Sequence, residues 1–277
     1  MEKTKEIKKN KAIRGGEFLV KETDFNDIFI PEEWNEEQRM IAQMCEDFMN
    51  SELFPIIDKI DSMKHPELMP KLMEKAGELG LLGLSVPEAY GGMGVDFKSS
   101  MLATEVLGGG YSFSVAYGAH TGIGTLPLLY YGNEEQKKRF IPKLANGEWK
   151  AAYCLTEPSS GSDANSGKSK AKLTDDGKHY IINGQKMWIT NGGFANLFTV
   201  FAKIGDDKNL TAFLVEADRD GITLNAEEKK MGIKGSSTRQ VFFNDVKIPA
   251  ENLLYQREKG FKIAVNILNI GRIKLCG

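Results

Sequence analysis

The sequence predicts a multidomain α+β protein, with a helical half, then a β domain, then one further helix. Apolar residues recur at helical spacing from Asn35 to about Leu144, short β-branched and aromatic runs take over after Trp149, and helical spacing returns at Gly260. A length of 277 residues, above the usual size of a single domain, agrees with this modular reading.

The helical half begins with Met40, Ile41, Met44, Cys45 and Phe48, which share one helix face. Leu68, Leu72, Met73, Ala76 and Leu79 repeat the device. The run Val86-Pro87-Glu88-Ala89-Tyr90-Gly91-Gly92-Met93-Gly94 joins proline to three glycines and reads as a loop between helices. Asn133 followed by Glu134, Glu135 and Gln136 predicts a capped helix start, with acidic residues at the positive end of the helix dipole. Phe140, Ile141 and Leu144 then supply its buried face.

In the β domain, strands are expected over 180–182, 187–190, 197–204, 211–215, 222–224 and 240–243. Asp176-Gly177, Asn183-Gly184, Asn191-Gly192, Gly205-Asp206-Asp207, Asp220-Gly221 and Asn244-Asp245 separate them, and Asn-Gly favours tight hairpin turns. Strands so short and so evenly spaced suggest a small barrel or sandwich. From Gly260 onward Phe261, Ala264, Val265 and Leu268 share a face that needs a surface to bury against. Gly277 could cap that helix.

Composition excludes several function classes. Hydrophobic residues at 41% and charged residues at 27% fit a globular protein with a real core. Thirty-six basic against 38 acidic residues give a formal charge of −2, which leaves no global basic field for nucleic acid. Lys3, Lys5, Lys8, Lys9, Lys11 and Arg14 are interrupted by Glu2 and Glu6 and precede no apolar run, so a solvated arm is expected rather than a secretory or mitochondrial signal. The sequence has no apolar stretch of membrane-spanning length. Cys45, Cys154 and Cys276 are few and dispersed, which fits a reducing, cytoplasmic setting, and with His65, His120 and His179 they form no zinc-ligand spacing. No metal is expected.

Among motifs, the G-x-G-x-x-G, Walker A and G-x-S-x-G patterns are absent, as is the strand-crossover alternation of a doubly wound sheet. Instead, Ala152-Tyr153-Cys154-Leu155-Thr156-Glu157-Pro158-Ser159-Ser160-Gly161-Ser162-Asp163 runs from an apolar strand into a loop of small polar residues. Such a loop presents backbone N–H groups and hydroxyls without bulk, as a phosphate or a flavin edge requires, though an ordinary surface loop has the same composition. Met187-Trp188-Ile189-Thr190-Asn191-Gly192 is a strand ending at a turn, where core packing is the default for Trp188. Arg272, after the apolar helix, reads locally as a solvated charge.

Taken in order, these segments resemble the acyl-CoA dehydrogenase family from about Glu33 onward. The likeness rests on the 86–92 and 153–163 runs, on Tyr131-Gly132-Asn133-Glu134-Glu135-Gln136-Lys137, and on Ile182-Asn183-Gly184-Gln185-Lys186 continuing into the 187–192 segment. It extends through Met231-Gly232-Ile233-Lys234-Gly235-Ser236-Ser237-Thr238 and Phe243-Asn244-Asp245-Val246-Lys247-Ile248-Pro249. The resemblance implies an N-terminal extension over 1–34, an α-helical domain over 35–148, a β-barrel-like middle domain over 149–257, and over 258–277 the first helix of a truncated C-terminal helical-bundle domain.

It further implies FAD as cofactor. Carried over by position, Tyr153, Leu155 and Thr156 hold the flavin ring, Ser162 sits at the diphosphate and the pantetheine arm, and Trp188, Ile189 and Thr190 flank the isoalloxazine. Ser162, Asn269 and Arg272 are the implied contacts to acyl-CoA. The implied reaction is α,β-dehydrogenation of a fatty acyl-CoA to trans-2-enoyl-CoA in fatty acid β-oxidation. A carboxylate takes the α-proton, the flavin accepts the β-hydride, and electron-transfer flavoprotein reoxidises the flavin. The complete enzyme is expected as a homodimer or homotetramer.

One departure matters. A minority of the family carries the catalytic Glu on the helix that opens the third domain, and Gly271 stands there, so the base is expected in a missing part and no catalytic residue is assigned to this chain. Small residues Gly118, Ala119, Gly122 and Gly124, the segment Gly15-Gly16-Glu17-Phe18-Leu19 and the 267–272 ending look most like the very-long-chain branch. Alternatives are an acyl-CoA oxidase or nitroalkane oxidase on the same fold, and a non-catalytic two-domain binding or assembly module.

Overall fold

The computed structural model describes residues 16–24 and 27–277; the basic stretch ending at Arg14, and Gly15, lie outside the described residues. Helix α1 (Glu36–Phe48) starts at a capping box in which Asn35 accepts from the Gln38 amide and Gln38 returns the bond to the Asn35 amide. Its buried stripe is Ile41, Cys45 and Phe48, while Met40, expected on the same face, is exposed. After α2 (Ile57–Asp61), α3 (Leu68–Glu78) buries Leu72, Met73 and Ala76, and leaves Leu79 exposed at its end. Then come α4 (Phe97–Leu107) and α5 (Ser112–Gly118), which runs into a π-helical turn over Ala119–Gly124. Beyond α6 (Leu126–Tyr131), α7 (Glu134–Ala145) opens on the expected Asn133 and Gln136 capping box and buries Phe140, Ile141 and Leu144.

The β half contains β1 (Ala151–Cys154), β2 (Lys170–Leu173), β3 (His179–Thr190), β4 (Leu197–Ile204), β5 (Thr211–Glu216), β6 (Ile222–Leu224), β7 (Thr238–Pro249) and β8 (Leu253–Leu254). Their ladder runs β6-β7-β3-β2-β4-β5-β8, with β1 paired parallel to β4. It wraps one core, in which Ala152, Cys154, Phe198, Val200 and Phe213 meet Ile182, Val241, Phe243, Val246 and Ile248. This is the barrel-like middle domain, with β6 and β8 as its edges.

Two turn signals correspond to something else. Asn183-Gly184 lies inside the continuous strand β3, and Asn244-Asp245 inside β7, where the β3–β7 register shifts. Gly184 has φ +153°, and a Cβ there would lie 2.3 Å from the Ser169 hydroxyl, so glycine serves a close strand crossing rather than a hairpin.

Helix α8 (Gly260–Lys274) buries Ile263, Ala264 and Ile267 against a core shared by α6, α7, β1 and β5. The face expected to be buried is therefore split: Phe261 and Val265 remain partly exposed. Polar ties complete the junction of the helical and β parts. Gln136 donates to the Glu251 and Leu253 carbonyls, Asn191 donates to the Ala116 carbonyl, and Asp61 accepts from the Ser112 hydroxyl and the Gly235 amide.

Candidate functional site

A groove of about 340 Å³ opens between the loop after β1, the end of β3 and the exposed face of α8. The register explains how β3 reaches it. Lys186 pairs with Val241 and Ile189 with Arg239, so β3 carries one residue more than β7 between those pairs. This bulge falls at Met187 and Trp188, the Met187 amide bonds instead to the Thr156 carbonyl, and Trp188 adopts φ +61°. Its indole is consequently 54% exposed and faces the groove, against the core packing that is the default for tryptophan. A non-glycine residue held at positive φ beside a cleft is strain of the kind that functional sites retain.

A second space, of about 460 Å³ and mostly apolar, lies between α4, α5, the π-helical turn and α8. A Cβ on Gly118 or Gly122 would meet nothing within 4 Å, so these glycines create its depth. Gly124 does not: its Cβ would come within 2.9 Å of the Ala151 side chain, which makes it a packing glycine between the π-turn and β1. His120 holds that turn in place, accepting the Ala151 amide on Nδ1 at 3.0 Å and lying 2.9 Å from the Leu144 carbonyl through Nε2. Burial pushes the ring down to about 4, so it is neutral at pH 7.

Of the residues implied by the resemblance, Tyr153, Leu155, Thr156, Ser162, Trp188, Ile189, Thr190 and Arg272 all line the groove. Asn269 does not, and meets it only by accepting a 2.6 Å hydrogen bond from Arg272. Arg272 is thus exposed, as its local sequence suggests, and is held by Asn269 at the groove lining. Sequence reasoning did not select Met187 or Ile123 for the groove, and nothing local distinguishes them from core residues. Phe261, Ala264, Val265 and Leu268, noted only as an apolar face, form its helical wall.

Behind the groove, Lys186 and Glu157 form a sealed ion pair. Lys186 Nζ donates to Glu157 Oε1 and to the Phe201 carbonyl, each at 2.6 Å, and to the Leu155 carbonyl at 3.3 Å. Glu157 also accepts from the Lys168 and Ser169 amides at 2.6 and 3.1 Å. Burial alone would raise the Glu157 carboxyl, but Lys186 and these amides hold it below its ordinary value. Burial also lowers the Lys186 ammonium, against the pull of Glu157. Neither group lines the groove, and among the described residues no Asp or Glu lines the groove or the cavity.

The groove suits a flavin. Tyr153 is packed edge-on to Phe201 at 4.9 Å, and its hydroxyl is buried with no partner among the described residues. The indole of Trp188 adds an aromatic surface to the lining, and the 161–162 amides make no backbone hydrogen bond to described residues. Aromatic surface, a spare hydroxyl and free N–H donors are what a planar heterocycle joined to a diphosphate requires.

The family comparisons agree with this arrangement. Residues 35–148 match the family model for the acyl-CoA dehydrogenase N-terminal domain, and residues 152–246 match that for the middle domain. A probable acyl-CoA dehydrogenase of Bacillus subtilis (strain 168) is 50% identical over 262 residues, covering 95% of this chain and 44% of the relative. The rat mitochondrial very long-chain specific acyl-CoA dehydrogenase is 48% identical over 204 residues, 70% of this chain and 31% of its own length. The crystal structure of an acyl-CoA dehydrogenase complexed with FAD from Bacillus anthracis superposes with a TM-score of 0.90 at 49% identity, over 95% of this chain and 45% of that one. The chain thus spans less than half the length of each of these three proteins, and what it spans is the helical domain and the β domain that follows it. With its two domains in family order, the chain belongs to the FAD-dependent acyl-CoA dehydrogenase family.

Proposed function

We propose that this chain supplies the flavin-edge surface and the acyl-binding surface of an enzyme that α,β-dehydrogenates fatty acyl-CoA thioesters. One observation carries the reading: Thr190, Leu268 and Arg272 line both the groove and the apolar cavity. A thioester lying across them would have its reacting carbons beside the groove and its alkyl chain in the cavity.

When bound, FAD supplies the two-electron acceptor for such a reaction. Tyr153, Leu155, Thr156, Trp188, Ile189 and Thr190 would hold its ring, and Ser162 with the neighbouring loop amides its diphosphate. Arg272, steadied by Asn269, would meet the thioester at the cavity mouth. The alkyl chain would displace water from the walls at Gly118, Ala119 and Gly122. Depth at these glycines, together with the very long-chain relatives, supports a preference for long acyl chains.

No Asp or Glu side chain lines either space among the described residues, and Gly271, where an added Cβ would meet Ile123 at 3.5 Å, provides none. The α-proton therefore has no acceptor on these surfaces, and we infer that the chain by itself binds without turning over. The same observation favours a non-catalytic binding module as the second reading. Residues 1–34, 35–148, 149–257 and 258–277 are the proposed units, the last opening a helical bundle. Electron-transfer flavoprotein as acceptor, homo-oligomerisation and a cytoplasmic setting belong to the same proposal; no helix among the described residues is long and apolar enough to cross a membrane. Titrating the chain with FAD and then palmitoyl-CoA tests the core of it. A shifted flavin spectrum on thioester addition is expected, and an unchanged one refutes a shared groove and cavity.

A further inference from the structure

The apolar cavity contains, on its buried side, a charged group that an alkyl chain does not need. Lys274 falls on the buried face of α8, eleven residues after Ile263 and seven after Ile267, where helical spacing calls for another apolar residue. Its relative exposure is 9%. It has no hydrogen bond and no ion pair among the described residues. Lys274 also lines a separate small pocket beside the cavity, whose hydroxyls are engaged elsewhere: Ser85 donates to Ser100, Thr121 to the Tyr117 carbonyl, Thr125 to the His120 carbonyl, and Tyr117 to the Leu81 carbonyl. Burial lowers the ammonium to about 8, which still leaves it mostly protonated at pH 7. An unpaired cation on a buried helix face is unfavourable unless something completes it.

Among the described residues no Asp or Glu side chain lines the cavity to do so. Lys274 also stands in a useful place along the wall. Leu268 lines both the groove and the cavity, and Lys274 follows it by six residues, about 9 Å further along the helix axis. An acyl chain whose thioester lies at the groove would run in that direction, and its far end is the part of the ligand that could meet the amine.

We propose that the cavity accepts acyl-CoA thioesters whose acyl chain ends in a carboxylate, with Lys274 as the counter-ion for that distal group. This rests on the acyl-CoA reading of the cavity given above. The lysine meets the requirement for recognising a buried anion: it is already desolvated and fixed on a packed helix, so the carboxylate gains a charge-assisted hydrogen bond without reorganising the site.

The test is calorimetric titration of the FAD-supplied chain with octanoyl-, dodecanoyl- and hexadecanoyl-CoA and with their ω-carboxyl counterparts. For at least one length the ω-carboxyl ligand is expected to bind ten or more times tighter than its plain partner. Lys274→Met, an apolar replacement suited to a buried face, should erase that preference while keeping plain acyl-CoA binding, and Lys274→Arg should retain part of it. Plain ligands binding equally or better at every length, or a preference that survives in Lys274→Met, overturns the proposal. Should Lys274→Met fail to fold, the wild-type comparison alone decides. If no thioester of either kind binds, the acyl-CoA reading itself is refuted and this inference with it.

Discussion

Lys186 and Glu157 meet at 2.6 Å, both nearly sealed from water, directly behind the strand ends that form the groove. Because Lys186 also binds the Leu155 and Phe201 carbonyls, the pair ties the segment after β1 to both β3 and β4. Removing one partner strands the other charge, which typically costs about 3–5 kcal/mol. Lys186→Met is therefore expected to destabilise by that order in denaturant unfolding and to weaken FAD retention. The double variant Lys186→Met with Glu157→Leu should recover a large part of the loss, and a double variant no better than Lys186→Met would remove the ion pair from the account.

His120 sets an acid limit. Its folded-state value of about 4 lies below the unfolded value of about 6.5, so the unfolded chain binds the proton more readily. Its contribution is complete above about pH 6.5 and is lost as pH falls toward 4, amounting to about 3 kcal/mol by the end of that window. Unfolding free energies measured across pH should fall in this range for the wild type, and His120→Gln should lack that part of the slope.

The cavity glycines divide by what surrounds them. Gly122→Leu has open space and should fold with a melting temperature close to wild type while weakening long-chain acyl-CoA binding at least tenfold. Gly124→Ala has none, because its Cβ would collide with Ala151, and overpacking of this kind costs about 1–3 kcal/mol. Thermal melts alongside ligand titrations of the two variants would separate these effects.

Trp188 is held out of the core, so Trp188→Ala should change stability little. An aromatic contact contributes about 0.5–1.5 kcal/mol beyond area burial. FAD affinity is accordingly expected to fall roughly tenfold, and Trp188→Phe to keep most of it. Tryptophan fluorescence quenched by FAD reports both.

Much of this was legible before the structure. The Asn133 and Gln136 capping box could be read because its signal is local, four residues with one geometry. The groove residues were legible only through the family resemblance, since a strand ending in Trp188 looks like any core strand until the extra residue relative to β7 is seen. Asn183-Gly184 misled for the same reason: a turn signal and a close-approach glycine have identical sequences, and only the neighbouring Ser169 distinguishes them. Gly118, Gly122 and Gly124 likewise look alike in sequence, yet two face a cavity and the third faces β1. The face of α8 expected to be buried proved to be split, because both sides of that helix are apolar and the core takes the side bearing Ile263 and Ile267.

The central claim is a chain with flavin and acyl surfaces and no base between them. Anaerobic mixing of the FAD-loaded chain with saturated long-chain acyl-CoA tests it most directly. The account predicts a flavin spectrum that shifts on binding and is not bleached, whereas rapid bleaching with release of the trans-2-enoyl product would contradict it.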